Sequence, residues 1–266
     1  MADPSVLFDV QQGVAQITLN RPTLLNALNT VLAAELADAV EAAANDPNVW
    51  VVVIRGNGSS FSSGMDRSAL AAGEVGEPFY RHWIRALNSL EDMGKVAIAV
   101  LHGYCLGGGL QLALASDLRL ATSDCVLGLG ATHHGLIPDG AVLRLARVVG
   151  LGRAKELAFL NDTIAPEEAK AMGLVNWVVS PDDVEQTLAR IVDKLLQAAP
   201  TATRHTKRLL HQSFHLDPRE MIEEVIRAQN ECMASWELAL ANRAWQGKQE
   251  ARFYPPPPGT REANGG

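Results

Sequence analysis

The sequence predicts an α/β fold in which buried, parallel-type strands alternate with helices and are followed by a purely helical C-terminal region. Three observations predict it. Two continuous apolar runs, Val49 to Ile54 and Val96 to Leu101, have the pattern of strands covered on both faces. Each leads through a serine- or glycine-rich loop into helical spacing, the cadence of βα units that stack parallel strands. After Pro181 the chain keeps helical spacing and has no strand-like run.

Taken in order, Val6 to Val10 and Val14 to Leu19 are short β-rich runs split by Gln11-Gln12-Gly13, which reads as a hairpin. Asn29 or Thr30 can cap a helix whose apolar positions, Val31, Leu32, Leu36, Ala39 and Val40, recur at helical spacing through Ala44. Asp46-Pro47 stops it, and the run Val49 to Ile54 ends at the Asn57-Gly58 turn signal. A helix is expected from about Glu77 to Met93, then the second buried strand, a glycine cluster at 107–109 and a helix through Ala115. Strand, loop and helix recur more loosely around Leu118 to Ala121, Gly140 to Gly150 and Leu174 to Val179. Val184 to Ala198, Thr203 to Gln212 and Pro218 to Trp245 read as helices whose apolar stripes, among them Met221, Ile222, Val225 and Ile226, need covering by the body or by another subunit. The organisation is thus a βα core over residues 1–180, a helical region over 181–254 and a proline-rich tail over 255–266 expected to be disordered.

Composition narrows the function. With 266 residues, 47% hydrophobic and 20% charged, the chain can bury a sizeable core. A formal net charge of −7 argues against nucleic acid as a partner. Cys105, Cys125 and Cys232 are too few and too scattered for a disulfide framework or a zinc site, and no HExxH or carboxylate–histidine cluster suggests a metal. The N-terminus lacks a secretory pattern, and the longest apolar runs fall well short of the ~20 residues that span a bilayer. The expectation is a soluble cytoplasmic protein with no membrane partner.

Two loops carry the functional signal. Ser59-Ser60-Phe61-Ser62-Ser63-Gly64-Met65-Asp66 follows the first buried strand and precedes a short helix over Asp66 to Ala72. Alone it is equally a polar loop with Asp66 as an N-cap. His102-Gly103-Tyr104-Cys105-Leu106-Gly107-Gly108-Gly109-Leu110-Gln111 follows the second, with three glycines opening a helix. Such glycines allow a ligand close to free N–H groups at the positive helix end, or simply tight helix–strand packing; neither a phosphate loop nor a dinucleotide fingerprint is present. Together the two loops would bring one N–H each to a common point, the geometry of an oxyanion hole for a thioester carbonyl that gains charge as an enolate forms.

The chain resembles the crotonase, or enoyl-CoA hydratase/isomerase, superfamily. The resemblance runs through Leu19-Asn20-Arg21-Pro22 with Asn26-Ala27-Leu28, Phe61 to Asp66, Gly103 to Gln111 with Ala115-Ser116-Asp117, Gly135-Leu136-Ile137-Pro138, Val149-Gly150 and Ala169 to Val175. It implies a spiral of repeated ββα units, C-terminal helices that mediate a homotrimer or a dimer of trimers, and a bent acyl-CoA whose carbonyl lies between the amides of Met65 and Gly108. Coenzyme A would arrive as part of the substrate, with no tightly bound cofactor. Its contacts would fall on the loop with Ser62, Ser63, Gly64 and Asp66, and on the cations Arg21, Arg67 and Lys248.

The departures are informative. Hydratases of this family resemble one another in two glutamates, which fall here at Gln111 and Ala131. Glutamine cannot take a proton from water and alanine can do nothing. Asp139 instead occupies a position resembling the acid/base aspartate of some enoyl- and dienoyl-CoA isomerases; it would equally suit as the cap of a helix beginning near Gly140. His133 and His134 lie near the lost glutamate and are further candidate bases, or exposed loop histidines. His82, His102 and Tyr104 stand beside these loops, but spacing assigns them no role, and Cys105 reads as packing. The leading expectation is a thioester-enolate enzyme shuttling a proton through Asp139, with Gln111 orienting substrate or one water. The alternatives are a hydratase or a β-diketone-type C–C hydrolase using His133 or His134, and a non-catalytic acyl-CoA binder.

Overall fold

The structure, a computed structural model, describes residues 3–258 and Thr260. The chain opens with a hairpin of β1 (Val6–Gln11) and β2 (Val14–Leu19), and α1 (Thr30–Asn45) follows, capped by the Asn29 side chain on the Leu32 N–H. Next come β3 (Val51–Gly56), α2 (Arg67–Ala71), α3 (Glu77–Asp92), β4 (Val96–Leu101), β5 (Tyr104–Leu106) and α4 (Gly108–Ala115). The body closes with β6 (Leu118–Thr122), β7 (Val126–Gly128), α5 (Leu145–Leu160), α6 (Pro166–Ala171) and β8 (Trp177–Val179). Four helices complete it: α7 (Val184–Leu196), α8 (Pro200–Gln212), α9 (Pro218–Met233) and α10 (Trp236–Gln246).

The main sheet has the order β1-β2-β3-β4-β6-β8, antiparallel only at the first pair. Strand β3 enters two residues later than its apolar run suggests. The Trp50 and Val51 N–H groups both donate to Gly13 O, which sets the register Val14 opposite Val51. One face of the sheet is covered by α1 and α3, which pack on each other. Helix α3 buries Phe79, Trp83, Ala86, Leu87 and Leu90, and each large side chain contributes about 1.5–3 kcal/mol. The other face carries a smaller cluster in which Val184, Leu188 and Ile191 of α7 meet Val51, Val53, Ile98 and Val100.

A second layer of short parallel pairings lies beyond the strand ends. Met65 bridges Leu28, Ser62 bridges Cys105, β5 pairs β7, and Leu127 bridges Ile164 antiparallel. The chain steps from one layer to the other at Gly103. Its φ is +53°, and a Cβ there would stand 2.0 Å from Ser59 O, so only glycine allows the crossing. This repeated step between layers is the physical content of the expected spiral.

Three expectations need correction. Gly140 to Gly150 holds no strand: after a turn, α5 begins at Leu145 and is interrupted by non-helical φ/ψ at Gly150. Asp139 therefore caps no helix; Arg144 sits at that position, and the Ala141 and Val142 N–H groups fold back onto Pro138 O. Pro218 to Trp245 is two helices rather than one, because Ser235 caps a new start by accepting from Leu238 N–H. The second layer, β5 and β7, was too short to leave a periodic signal.

Helix α8 is held to the body by Lys207, whose Nζ donates to Leu90 O (2.6 Å), Lys95 O (2.9 Å) and Asp117 Oδ2 (2.8 Å). Phe253 is buried against Trp236, and Tyr254 packs edge-on to Trp50 at 5.2 Å. Of the tail expected to be disordered, Pro255–Pro258 carry no helix or strand and Thr260 bonds back to Pro257 O; Gly259 and residues 261–266 lie outside the described residues. Among the described residues no helix is long and apolar enough to cross a membrane, and no cluster of His, Cys, Asp and Glu could hold a metal ion.

Candidate functional site

The loops that follow β3 and β4 run side by side, because Ser62 N–H donates to Tyr104 O (2.9 Å) and Leu106 N–H donates back to Ser62 O (2.9 Å). They line a cavity of about 380 Å³ whose walls also include Leu28, Leu70, Phe79, Trp83, Leu136 and Ile137. The close approach depends on Gly64. Its φ is +89°, and a Cβ would stand 2.8 Å from Leu106 O.

Two backbone N–H groups of this wall have no acceptor among the described residues. Leu28 N–H donates to Gly64 O and Asp66 N–H donates to Leu28 O, so in this parallel bridge the intervening Met65 N–H points to the opposite side. Gly108 is the first residue of α4, where N–H groups have no intrahelical partner and the helix dipole is positive. Met65 and Gly108 both line the cavity. A pair of such donors is suited to an oxygen that becomes negatively charged.

The Met65 loop is braced from behind. Asp66 accepts from Ser68 and Ala69 N–H (both 3.1 Å) as the cap of α2, and pairs with the Arg21 guanidinium at 3.0 Å, which also donates to Ala27 O. Burial alone would raise the Asp66 carboxyl; the N–H bonds and Arg21 outweigh it and hold it below its ordinary value. Ser62 is fully buried, its hydroxyl donating to Asn26 O while accepting from Gly64 N–H. Arg21, Ser62 and Asp66 thus shape the loop, whereas Ser63 and Gly64 line the cavity itself. Lys248 lies just past α10 and is not part of this wall.

Asp139 lines the same cavity as the two N–H groups and is the one carboxylate in the lining among the described residues. Its Oδ2 is buried with no hydrogen-bond partner. Burial pushes its carboxyl above the ordinary value, and the Gly140 N–H, the Gln111 side chain and the Arg144 charge offset this only in part. The Tyr80 phenol lines the same cavity and is raised by burial first and by the Asp139 charge second.

Gln111, 4% exposed, is clamped. Its Oε1 accepts from Trp83 Nε1–H at 3.0 Å and from Gly140 N–H at 3.1 Å. Since indole is a donor only, this fixes which end of the amide is oxygen and leaves the NH2 for the Asp139 side. The turn beyond is pinned by Arg144, which donates to Gly140 O, to Asn88 Oδ1 at 2.9 Å and to Glu91. Trp83, Tyr80 and Arg144 were not singled out by sequence reasoning. Trp83 and Tyr80 were legible only as part of a helical apolar face, and Arg144 only as a charge in a loop.

The remaining candidates separate. His134 lines the cavity with Arg67, whose Nη1 lies 2.9 Å from both ring nitrogens; His133 is exposed and outside it. Ala131 is part of the wall. His102 Nε2 contacts Gly58 O, Tyr104 is largely exposed, and the fully buried Cys105 thiol is pushed well above its ordinary value by burial.

Comparison with known proteins completes the site. The family model for enoyl-CoA hydratase/isomerase matches residues 9–253. The short-chain-enoyl-CoA hydratase of Clostridium acetobutylicum is 32% identical over 254 residues, covering 94% of this chain and 97% of that protein. The crotonyl-CoA hydratase of Syntrophomonas wolfei is 32% identical, covering 95% and 99%. Among solved structures, the enoyl-CoA hydratases of Mycobacterium smegmatis and Bacillus anthracis match with TM-scores of 0.88 and 0.87, at 25% and 28% identity. They cover 94% of this chain in both cases, and 99% and 98% of their own.

Proposed function

The chain belongs to the enoyl-CoA hydratase/isomerase family, and we propose that it is an acyl-CoA enzyme of the isomerase type, moving a proton along an enoyl thioester. The observation that carries this reading is that Asp139 is the one carboxylate lining the cavity among the described residues, with a partnerless buried Oδ2. The thioester oxygen would accept from Met65 and Gly108 N–H. As charge moves onto it, Asp139 removes a proton α to the carbonyl from a 3-enoyl ester, holds it as the neutral acid that burial favours, and returns it to the γ-carbon. Gln111 keeps the turn and carboxylate in place rather than accepting a proton, since its oxygen is already taken by Trp83 and Gly140.

The names of the relatives favour a second reading, water addition. The two glutamates expected of such a hydratase fall at Gln111 and Ala131, so the base would have to be Asp139 or His134, and the His134 ring is held against Arg67. His133 is outside the cavity for either hydration or C–C hydrolysis. No tightly bound cofactor enters this mechanism; coenzyme A comes with the substrate. Assembly as a trimer or dimer of trimers belongs to the same proposal, supported by the exposed Ile222, Val225, Ile226 and Met233 on α9.

The test compares double-bond migration in a 3-enoyl-CoA with hydration of a 2-enoyl-CoA, for the wild type and Asp139→Asn. Migration abolished by the substitution is expected. Hydration without migration would replace the proposal by the second reading, and tight ester binding without any turnover would leave only a binder.

A further inference from the structure

Arg67 is the one guanidinium in the cavity wall among the described residues, and it has no acidic partner. The contrast with Arg21 is direct: that arginine, one loop away, is neutralised by Asp66. Arg67 instead meets His134, with its Nη1 2.9 Å from both ring nitrogens. Imidazole carries no negative charge to balance a guanidinium. The same cavity is lined by the apolar Leu70, Leu136 and Ile137, and His134 lies five residues before Asp139 in the chain. In a chain with 30 acidic against 23 basic residues, an arginine left without a carboxylate at a cavity is a place for an anion supplied by the ligand.

We infer that Arg67 and His134 form a receptor for a carboxylate at the far end of the acyl group, so that the substrates are short dicarboxylic acyl-CoA esters. This rests on the acyl-CoA reading above and refines its substrate class. The planar guanidinium offers two parallel N–H donors to the carboxylate, and the imidazole one more, while the apolar wall takes the methylenes. The other anion on such a ligand is a phosphate of coenzyme A, and the experiment separates the two.

Calorimetric titration uses saturated, unreactive pairs: adipyl-CoA against hexanoyl-CoA, and glutaryl-CoA against pentanoyl-CoA. The wild type is expected to bind the carboxylate-ended member about tenfold to a hundredfold more tightly. Arg67→Met should erase that preference, and Arg67→Lys, which keeps the charge but loses the fork, should retain part of it. Arg67 is exposed, so both variants should fold, which far-UV dichroism and the thermal midpoint check. A wild type with no preference overturns the inference. So does an Arg67→Met variant that weakens both members of a pair equally, and if that common loss disappears with 3′-dephospho-CoA esters the arginine serves a phosphate. Because binding is read without turnover, a chain that fails to isomerise but prefers the diacid esters refutes the proton-transfer reading and leaves this one standing.

Discussion

Replacing Gln111 by Met tests the clamp at the floor of the cavity. Methionine matches glutamine in length and removes the one acceptor that serves two buried donors, Trp83 Nε1–H and Gly140 N–H. A buried donor left unpaired costs about 1–3 kcal/mol, so the substitution should destabilise the protein by about 2–6 kcal/mol. In a Trp83→Phe background only the Gly140 donor is orphaned, and the same substitution should cost about 1–3 kcal/mol. The double-mutant cycle therefore predicts a coupling of about 1–3 kcal/mol between positions 83 and 111. Urea denaturation followed by far-UV dichroism of the four proteins measures it. An equal cost in both backgrounds would refute the clamp and reopen Gln111 as a group free to meet substrate or water.

Two further predictions follow from the same geometry. Gly64→Ala forces a side chain into φ +89° and to 2.8 Å from Leu106 O, so it should cost about 1–3 kcal/mol in stability, read by the shift in urea midpoint. By displacing the Met65 N–H it should also lower kcat by about 100-fold or more, read in the same migration assay. Asp139→Asn should make the protein more stable at pH 7, because the folded-state carboxyl is raised above 3.8. The stability it contributes is complete below pH 3.8 and lost as pH rises through the folded value, so the gain should shrink as pH approaches 4. Asp66 has the opposite sign: its contribution is present above pH 3.8 and lost as pH falls through its lower folded value. Urea denaturation of wild type and Asp139→Asn at pH 7 and pH 4 checks the first sign, and a less stable variant at pH 7 would contradict it.

What the sequence made legible was the part written in periodicity and glycine. Strands β3 and β4 announce themselves because parallel strands covered on both faces are continuously apolar, and the amphipathic α3 and α7 do so by spacing. Asp66 was readable as a cap because an N-cap is a local event. The second layer escaped notice, since β5 and β7 are three residues each and some of its pairings are single bridges. The turn after Asp139 was misread as part of a βα unit because nothing local reveals that Gly140 is tied to Gln111 and Arg144, which come from other elements. For the same reason Arg67 and His134, 67 residues apart, could be suspected singly but not as a pair.

The central claim is that Asp139 moves the proton while the two backbone donors hold the oxygen. It is tested most directly by following the α-hydrogens of an acyl-CoA ester in deuterium oxide by proton NMR. The wild type should lose one α-hydrogen of a 3-enoyl-CoA in exchange for a hydrogen, or a deuterium picked up on the carboxyl, at the γ-carbon, with Asp139→Asn slower by about 100-fold to 10,000-fold, the range of a positioned general base. Loss of the α-hydrogen at the wild-type rate in Asp139→Asn would contradict the account.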